Sequence, residues 1–225
     1  MAGDEQLTVS SGSERLLALI AIGRRTVPRA MVASTLWPGA PERRAQASLR
    51  SALARLDEVG RRMLLVDSSE IGLDPRTSVD FEEGRSLARR LLDPDPSAGS
   101  DDVHAQAIET LSDGLLPGWY EEWMLAASDE WDQLRLHALE ALSAHFIKAG
   151  RFADAVAAAS VATHTEPLRE SACAALIAAY LAEGNQVEAL RHFREYESNL
   201  RAELGIGPTS RLCDLVVDLH VGRDQ

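Results

Sequence analysis

The sequence predicts a mainly α-helical protein, in which a winged helix-turn-helix with a small β-hairpin precedes a larger set of helices. Three observations lead to this fold class: the order of segments in residues 1–78, an internal repeat in the second half, and an uneven distribution of charge. The segment order indicates a nucleic-acid-binding module, and the repeat indicates a protein-binding one.

The composition is that of a globular protein with two modest domains. The chain has 225 residues, of which 45% are hydrophobic and 26% charged, and it lacks the run of about 18 apolar residues that a membrane span needs. Its acidic first residues do not resemble a signal peptide. Cys173 and Cys213 are the only cysteines, too few for a disulfide framework, and both are expected in the core. We therefore expect a cytoplasmic protein.

The net charge of −12 argues against a generic nucleic-acid binder, but it is the sum of two unlike regions. Residues 15–62 contain ten arginines and three acids, a net charge of +7, which leaves −19 for the rest of the chain. Residues 91–132 contain eleven acids and no lysine or arginine. A small basic region on an acidic body fits a DNA-contacting module joined to a part that does not touch DNA.

The elements of the first 78 residues are predicted in the order strand, helix, helix, helix and hairpin: residues 7–10, 14–22, 28–36, 41–59 and 63–73. Gly23 ends the first helix, and Pro28 opens the second at its first position. The hairpin consists of the apolar runs 63–66 and 71–73 around an acidic turn. In a winged helix-turn-helix the third helix enters the major groove, and the hairpin, called the wing, lies along the DNA backbone.

The helix predicted over residues 41–59 has two unlike faces. Its apolar stripe consists of Ala45, Leu49, Ala52, Leu53 and Leu56. The opposite face combines arginine, glutamine and small residues: Arg43, Gln46, Ala47, Arg50 and Ala54. Arginine can pair bidentately with guanine and glutamine with adenine, while alanine leaves room for a thymine methyl group. The face suits the major groove, although an amphipathic surface helix without a partner has the same pattern.

Helical patterns dominate after residue 78. A helix is predicted over 79–92, followed by a linker at 93–102 that is rich in proline, glycine and acids. The later sequence repeats at an offset of 34 residues, which is the tetratricopeptide period; the matched pairs are Leu142 with Leu176, Phe146 with Tyr180, Gly150 with Gly184, and Ala155 with Ala189. Two repeats are fewer than a stable stack needs, so segments 119–139 and 210–220 are expected to cap them.

No motif indicates catalysis or a cofactor. His137 and His145 lie eight residues apart on one predicted helix, too far to share a metal ion. The tryptophans at 119, 123 and 131 have helical spacing and are expected in the core. Helical repeats bind proteins or peptides and rarely catalyse. We therefore expect neither an enzyme nor a metal or cofactor site.

Seven motifs in their order resemble the SARP family of transcriptional activators. They are ERLLALIAI (14–22), VPRAMVASTLWP (27–38), ASLRSALARL (47–56), VDFEE (79–83), LLPGWYEEW (115–123), EPLRESACAALIAAYLAEGNQVEAL (166–190) and ELGIGPTSRL (203–212). Each motif alone has low specificity for the family, but the order and spacing of all seven together are strong evidence for the resemblance. The resemblance spans residues 7–219 and implies a winged helix DNA-binding domain over 1–78 and a tetratricopeptide-like bacterial transcriptional activator domain over 79–225.

The resemblance implies an activator that binds promoter DNA, usually at direct repeats, and recruits RNA polymerase. Residues 41–59 would be the recognition helix, with Arg43, Gln46, Ala47 and Arg50 facing bases. The residues expected to meet phosphate are Arg24, Arg25, Arg29, Ser48, Ser51 and Arg55. The expected partners are double-stranded promoter DNA, RNA polymerase and a second copy on tandem sites, with no membrane.

Two departures from the family motivate an alternative. The family has an N-terminal β-sheet before the first helix, of which only residues 7–10 could belong here. Its wing tends to have basic or aromatic residues, whereas here the turn is Asp67-Ser68-Ser69-Glu70, whose acids would repel phosphate. The alternative function is a protein-interaction module with a degenerate winged helix that no longer binds DNA.

Overall fold

The computed structural model describes residues 9–23, 25–93 and 103–220. These residues form two compact units. The winged-helix unit comprises the described part of Met1–Glu83 together with Trp119–Ala127, and the helical unit comprises the described parts of Gly84–Gly118 and Ser128–Gln225. Helices predominate in both units and the described residues contain one small sheet, so the predicted mainly α class is confirmed.

The winged-helix unit has the elements α1 (Ser11–Gly23), β1 (Val27–Pro28), α2 (Arg29–Leu36), α3 (Glu42–Ala54), α4 (Glu58–Arg62), β2 (Leu64–Val66) and β3 (Glu70–Leu73). The strands form an antiparallel sheet in the order β1-β3-β2, with Val27 opposite Ile71 and Leu65 opposite Gly72. The wing formed by β2 and β3 is therefore present, as predicted.

One apolar cluster holds the three main helices against the sheet. Its members include Leu16 and Ile20 of α1, Val32 and Leu36 of α2, Leu49 of α3, and Leu64 and Ile71 of the wing. Ser13 adds a buried hydrogen bond, because its hydroxyl donates to the carbonyl of Ala52 over 2.8 Å. The N-terminal end of α1 is thereby fixed to the C-terminal end of α3.

The boundaries of three predicted elements need correction. The helix predicted over 41–59 ends at Ala54, because the Asp57 carboxylate accepts the Gly60 N–H over 2.7 Å and so caps the separate helix α4. Pro28 pairs in β1, and α2 begins one residue later. Of the strand predicted at 7–10, the first two residues lie outside the described ranges, and Val9 and Ser10 are not in a strand.

The other helices are α5 (Asp80–Leu91), α6 (Ala105–Ser112), α7 (Glu122–Lys148), α8 (Phe152–Thr165), α9 (Glu170–Glu183), α10 (Gln186–Leu204), α11 (Ser210–Asp214) and α12 (Val217–His220). Helix α5 agrees with the prediction over 79–92, and most of the linker predicted at 93–102 lies outside the described ranges.

Two helical hairpins, α7–α8 and α9–α10, confirm the 34-residue repeat. Gly150 and Gly184 occupy their turns with left-handed φ values of 72° and 86°, a conformation that favours glycine. Ala155 and Ala189 are fully buried at the equivalent position of each second helix. The repeat therefore places small side chains where the paired helices pack closely.

The two predicted caps have different outcomes. Leu212 and Val216, in and after α11, pack against Ile177 and Phe193, so the segment 210–220 does cap the last hairpin. The segment 119–139 is not a separate helix, because no helix breaker interrupts the sequence between Glu122 and Lys148 and α7 continues through it. At the first hairpin, it is α6 that packs against α8.

The remaining sequence expectations concern tryptophans, cysteines, metal and membrane. Of the three tryptophans expected in the core, Trp131 is buried and its indole N–H donates to the Asp113 carbonyl over 3.0 Å, whereas Trp119 and Trp123 are only half-buried. Cys173 is buried and Cys213 is half-buried against the same cluster. Within the described ranges, no three histidines, cysteines or acids are grouped to hold a metal ion. No described helix has the length and apolarity to cross a membrane.

Candidate nucleic-acid interface

Helix α3 separates an apolar face from a basic one. Ala45, Leu49 and Ala52 are buried in the core of the winged-helix unit. Arg43, Arg44, Ala47, Arg50, Ser51 and Ala54 are exposed on the other side. Residues spaced by three, four and seven positions share one face of a helix, so Arg43, Ala47, Arg50 and Ala54 form a single row.

The four predicted base-facing residues differ in their exposure to solvent. Arg43, Ala47 and Arg50 are exposed, whereas Gln46 is half-buried. Gln46 lines a small cleft with Ala33 and Trp37, between α2 and α3. Its amide would therefore reach DNA only along the edge of α3 that faces α2.

Five of the six predicted phosphate-facing residues lie in the described structure. Ser51, Arg55 and Arg25 are exposed, and Ser48 and Arg29 are half-buried. Arg55 is the C-cap of α3 rather than a residue in the middle of a helix. Arg24 lies outside the described residues.

Arg29 connects the start of α2 to the wing. Its backbone N–H donates to the Ser69 carbonyl over 2.8 Å, and its guanidinium donates to the Asp67 carbonyl over 3.2 Å. The side chain is therefore partly used within the protein, and a phosphate would have to share it. The same two bonds fix the position of the wing tip.

The acidic turn of the wing has a structural role that sequence reasoning missed. The Asp67 carboxylate accepts hydrogen bonds from the backbone N–H groups of Ser69 and Glu70 over 2.6 and 2.7 Å, and from the Ser69 hydroxyl over 3.0 Å. These bonds, chiefly those from the backbone, lower the pKa of Asp67. Glu70 is half-buried in β3, opposite Pro28. Asp67 is thus an acid that closes the turn.

Sequence reasoning also left three arginines out of the candidate site. Arg44 is exposed on α3. Arg61 donates to the Ala54 carbonyl over 2.7 Å and so satisfies the C-terminal end of α3, and Arg62 pairs with Glu58 on α4. The signal available was the charge count over residues 15–62, which includes all three.

The arginines of α3 have no counter-ions among the residues that the structure describes. Arg43, Arg44, Arg50 and Arg55 form no ion pair with any residue that the structure describes. In the helical unit, by contrast, five arginines pair with carboxylates: Arg135, Arg151, Arg169, Arg191 and Arg201. A row of exposed cations without partners leaves a positive field along one side of α3.

These elements define a class of protein: a winged helix-turn-helix followed by tetratricopeptide-like helical hairpins. The family model for the bacterial transcriptional activator domain matches residues 78–219, and the chain therefore belongs to that family. A winged helix joined to this domain is the arrangement of SARP-type transcriptional regulators, which confirms the resemblance found in the sequence.

The chain is similar to two curated regulatory proteins. It is 27% identical to the regulatory protein AfsR of Streptomyces griseus over 95% of the chain and 28% identical to AfsR of Streptomyces coelicolor over 94%. It spans only 23% and 22% of the length of these relatives. The structure also resembles Mycobacterium tuberculosis EmbR in complex with a low-affinity phosphopeptide, with a TM-score of 0.62 and 24% identity over 96% of this chain and 60% of that chain. That likeness concerns the fold.

Proposed function

We propose that this chain is a DNA-binding transcriptional activator that binds promoter DNA with α3 and contacts RNA polymerase through its helical unit. The observation that supports DNA binding is the set of exposed arginines on α3, which form no ion pair within the described part of the chain. The family and the two regulatory relatives support a role in transcription. The same family argues for a regulator rather than an enzyme.

Arg43, Ala47 and Arg50 are assigned to base edges, because they form one row opposite the buried face of α3. A helix in the major groove presents its outward row to the bases, and the residues on both sides of that row meet the phosphates. Arg44, Ser51 and Arg55 fit the second role because they are exposed beside the row. Gln46 has a secondary role because it is half-buried.

The wing contributes little attraction to phosphate in this proposal. The turn between β2 and β3 contains Asp67 and no basic residue, and the one guanidinium beside it, that of Arg29, donates to the turn itself. Most of the binding energy would come from α3, so one copy would bind weakly. Tandem copies or bound polymerase would then be needed for stable occupancy.

Binding to DNA from upstream of the chain's own gene and its neighbours tests the proposal. Fluorescence anisotropy should give a dissociation constant that rises steeply with salt. Arg50→Ala should weaken binding about tenfold and relax base preference. Arg55→Ala should weaken binding to all DNA sequences by the same factor and reduce the slope of log K against log salt by about one. Arg194→Ala is the matched control, an exposed arginine of α10 in the helical unit.

The competing proposal is a protein-interaction module without DNA affinity, and the helical hairpins favour it. It predicts no salt-dependent binding to any upstream fragment at low salt. It also predicts capture of a protein partner that survives the combined replacement of Arg43, Arg50 and Arg55 by alanine. If the triple variant still captures a protein partner and the wild type binds no DNA, the protein-interaction module replaces the DNA-binding activator as the proposed function.

A further inference from the structure

A short segment from the activator-domain sequence packs into the winged-helix unit. Trp119–Ala127 lies within the range 78–219 that the activator-domain family matches, yet it groups with the winged helix in space. It includes the first six residues of α7 and the three residues before them. We call this segment the brace.

Two contacts connect the brace to the helices of the winged-helix unit. The Arg15 guanidinium of α1 donates through the same nitrogen, Nη2, to the Glu121 carboxylate and to the Leu36 carbonyl, each over 2.7 Å. The Arg15 and Glu121 side chains are 24% and 29% exposed, so water screens their ion pair only in part. Trp123 packs, partly buried, against the apolar cluster of the unit.

The Leu36 carbonyl is at a sensitive position. Leu36 ends α2, and the turn that follows ends at Pro41, the N-cap of α3. Within this turn the Trp37 N–H donates to the Ala33 carbonyl and the Ala40 N–H to the Trp37 carbonyl, each over 3.1 Å. Since the turn sets the direction in which α3 leaves α2, a fixed Leu36 carbonyl restricts the orientation of α3.

We propose that the brace is a positioning element for the recognition helix: Glu121 orients Arg15, Arg15 holds the Leu36 carbonyl, and Trp123 packs the brace onto the apolar cluster. The DNA-binding unit is then discontinuous in sequence and includes residues beyond the predicted boundary at 78. Glu121 and Trp123 are positioning residues, since neither lies on the exposed face of α3. This inference rests on the proposed DNA binding, but one of its measurements does not require DNA.

Loss of the brace has a distinctive expected effect on binding. If only a fraction of molecules holds α3 in the binding orientation, the apparent dissociation constant rises by the inverse of that fraction. The number of phosphate contacts in the complex stays the same, so the slope of log K against log salt is unchanged. Removal of a contact residue such as Arg55 changes both quantities.

The pair Glu121→Gln and Glu122→Gln tests the proposal in the full chain. Glu122 is the adjacent, exposed acid, and its replacement removes the same charge. We expect Glu121→Gln to raise the apparent dissociation constant about fivefold, as loss of a charge-assisted hydrogen bond allows, with an unchanged salt slope. Glu122→Gln should stay within about twofold of the wild type. Equal effects of the two variants, or a reduced salt slope for Glu121→Gln, would overturn the proposal.

Hydrogen exchange gives the measurement that is independent of DNA. In Glu121→Gln the Trp37 and Ala40 amides should exchange about fivefold faster than in the wild type, while amides of α9 keep their rates. Unchanged exchange at the turn overturns the brace even if DNA binding is confirmed. Faster exchange in a protein that binds no DNA supports the brace and rejects the proposed function.

Trp123 provides a second variant pair. Its indole N–H is buried without an acceptor among the described residues, so Trp123→Phe removes no hydrogen bond and keeps most of the apolar packing. Trp123→Ala should accelerate exchange at the turn, and Trp123→Phe should restore rates near those of the wild type. If Trp123→Phe is as impaired as Trp123→Ala, packing of the brace is not the cause and the assignment of Trp123 fails.

Discussion

Arg135 and Arg169 of the helical unit are bound to the protein itself, whereas the arginines of α3 in the winged-helix unit lie along one exposed face of the helix. Arg169 donates to the Glu140 carboxylate over 2.6 Å and to Gln133 over 3.0 Å. Arg135 is only 5% exposed and donates to the Ser112 carbonyl and the Asp132 carboxylate. Arg50 on α3 has no such partner within the described ranges. The same residue type therefore has a structural role at Arg135 and Arg169 and remains available to a ligand on α3.

The apolar cores of the two units also differ, in the size of their side chains. Leucine and isoleucine fill the space between the helices and sheet of the winged-helix unit, as at Leu16, Ile20 and Leu49. Alanine dominates where the helices of the hairpins pack closely, and eight alanines of the described hairpins are completely buried: Ala138, Ala155, Ala158, Ala159, Ala162, Ala172, Ala179 and Ala189. Small side chains permit close helix packing, and large ones bridge a wider gap.

The largest expected effect is on the free energy of unfolding, when a large core side chain is made small in one unit and a small one is made large in the other. Leu49→Ala should lower the free energy of unfolding by about 3 kcal/mol, because it leaves a cavity beneath α3. Ala155→Leu should lower it by about 2 kcal/mol, because the hairpin has no room for the added atoms. Urea denaturation followed by circular dichroism measures both. A neutral Ala155→Leu would show that the first hairpin is loosely packed and would remove the contrast between the cores.

The second effect compares two arginines. Arg169→Ala should lower the free energy of unfolding by about 2 kcal/mol, because Glu140, whose side chain is 15% exposed, loses its counter-ion. Arg50→Ala should change it by less than about 0.5 kcal/mol, because Arg50 is exposed and contacts no partner in the described structure. The measurement is again urea denaturation. Comparable losses would mean that Arg50 has a structural role, and the DNA proposal would lose its main support.

Sequence patterns predicted the features of this chain that depend on local spacing. The offset of 34 residues located Gly150, Gly184 and their alanine partners, because helix period and turn chemistry repeat within one chain segment. The apolar stripe was predicted for the same reason. Ala45, Leu49 and Ala52 of α3 are buried as expected, Leu56 is buried beyond the end of the helix, and Leu53 is half-buried. The arrangement of the winged helix followed from the order of such segments.

Features that depend on distant partners were not predictable in this way. Val27 and Pro28 form a strand only because β3 lies beside them, and two residues have no periodicity of their own. The helix boundary at Ala54 depends on how the Asp57 side chain caps the next helix. The packing of Trp123 onto the winged-helix unit joins residues more than fifty positions apart. The DNA contacts proposed for α3 stay predictions until they are measured.

Glycine substitutions in the turns of the two units provide a third, smaller contrast. Gly184 has a φ of 86°, and a Cβ there would meet nothing within 4 Å, so Gly184→Ala adds only backbone strain. We expect a loss of about 1 kcal/mol. Gly39, in the turn before α3, also has open space but lacks a left-handed φ. Gly39→Ala should therefore stay within about 0.5 kcal/mol of the wild type. Thermal denaturation of both variants measures the cost of the left-handed φ at Gly184, and equal losses would contradict the assignment of that cost to backbone strain.

The last prediction needs no substitution. It compares the reactivity of the two cysteines of the helical unit in the wild-type chain. Burial raises the pKa of the Cys173 thiol to about 12, and the nearby Glu170 carboxylate adds to the shift. Almost no thiolate therefore exists at that position at pH 8, and the thiolate is the reactive form. Cys213 is only half-buried. Iodoacetamide at pH 8, followed by peptide mass spectrometry, should label Cys213 at least about tenfold faster than Cys173 in the folded chain. Labelling at equal rates would mean that the core beneath the last hairpin opens readily, and that the alanine-packed unit is less rigid than its close helix packing implies.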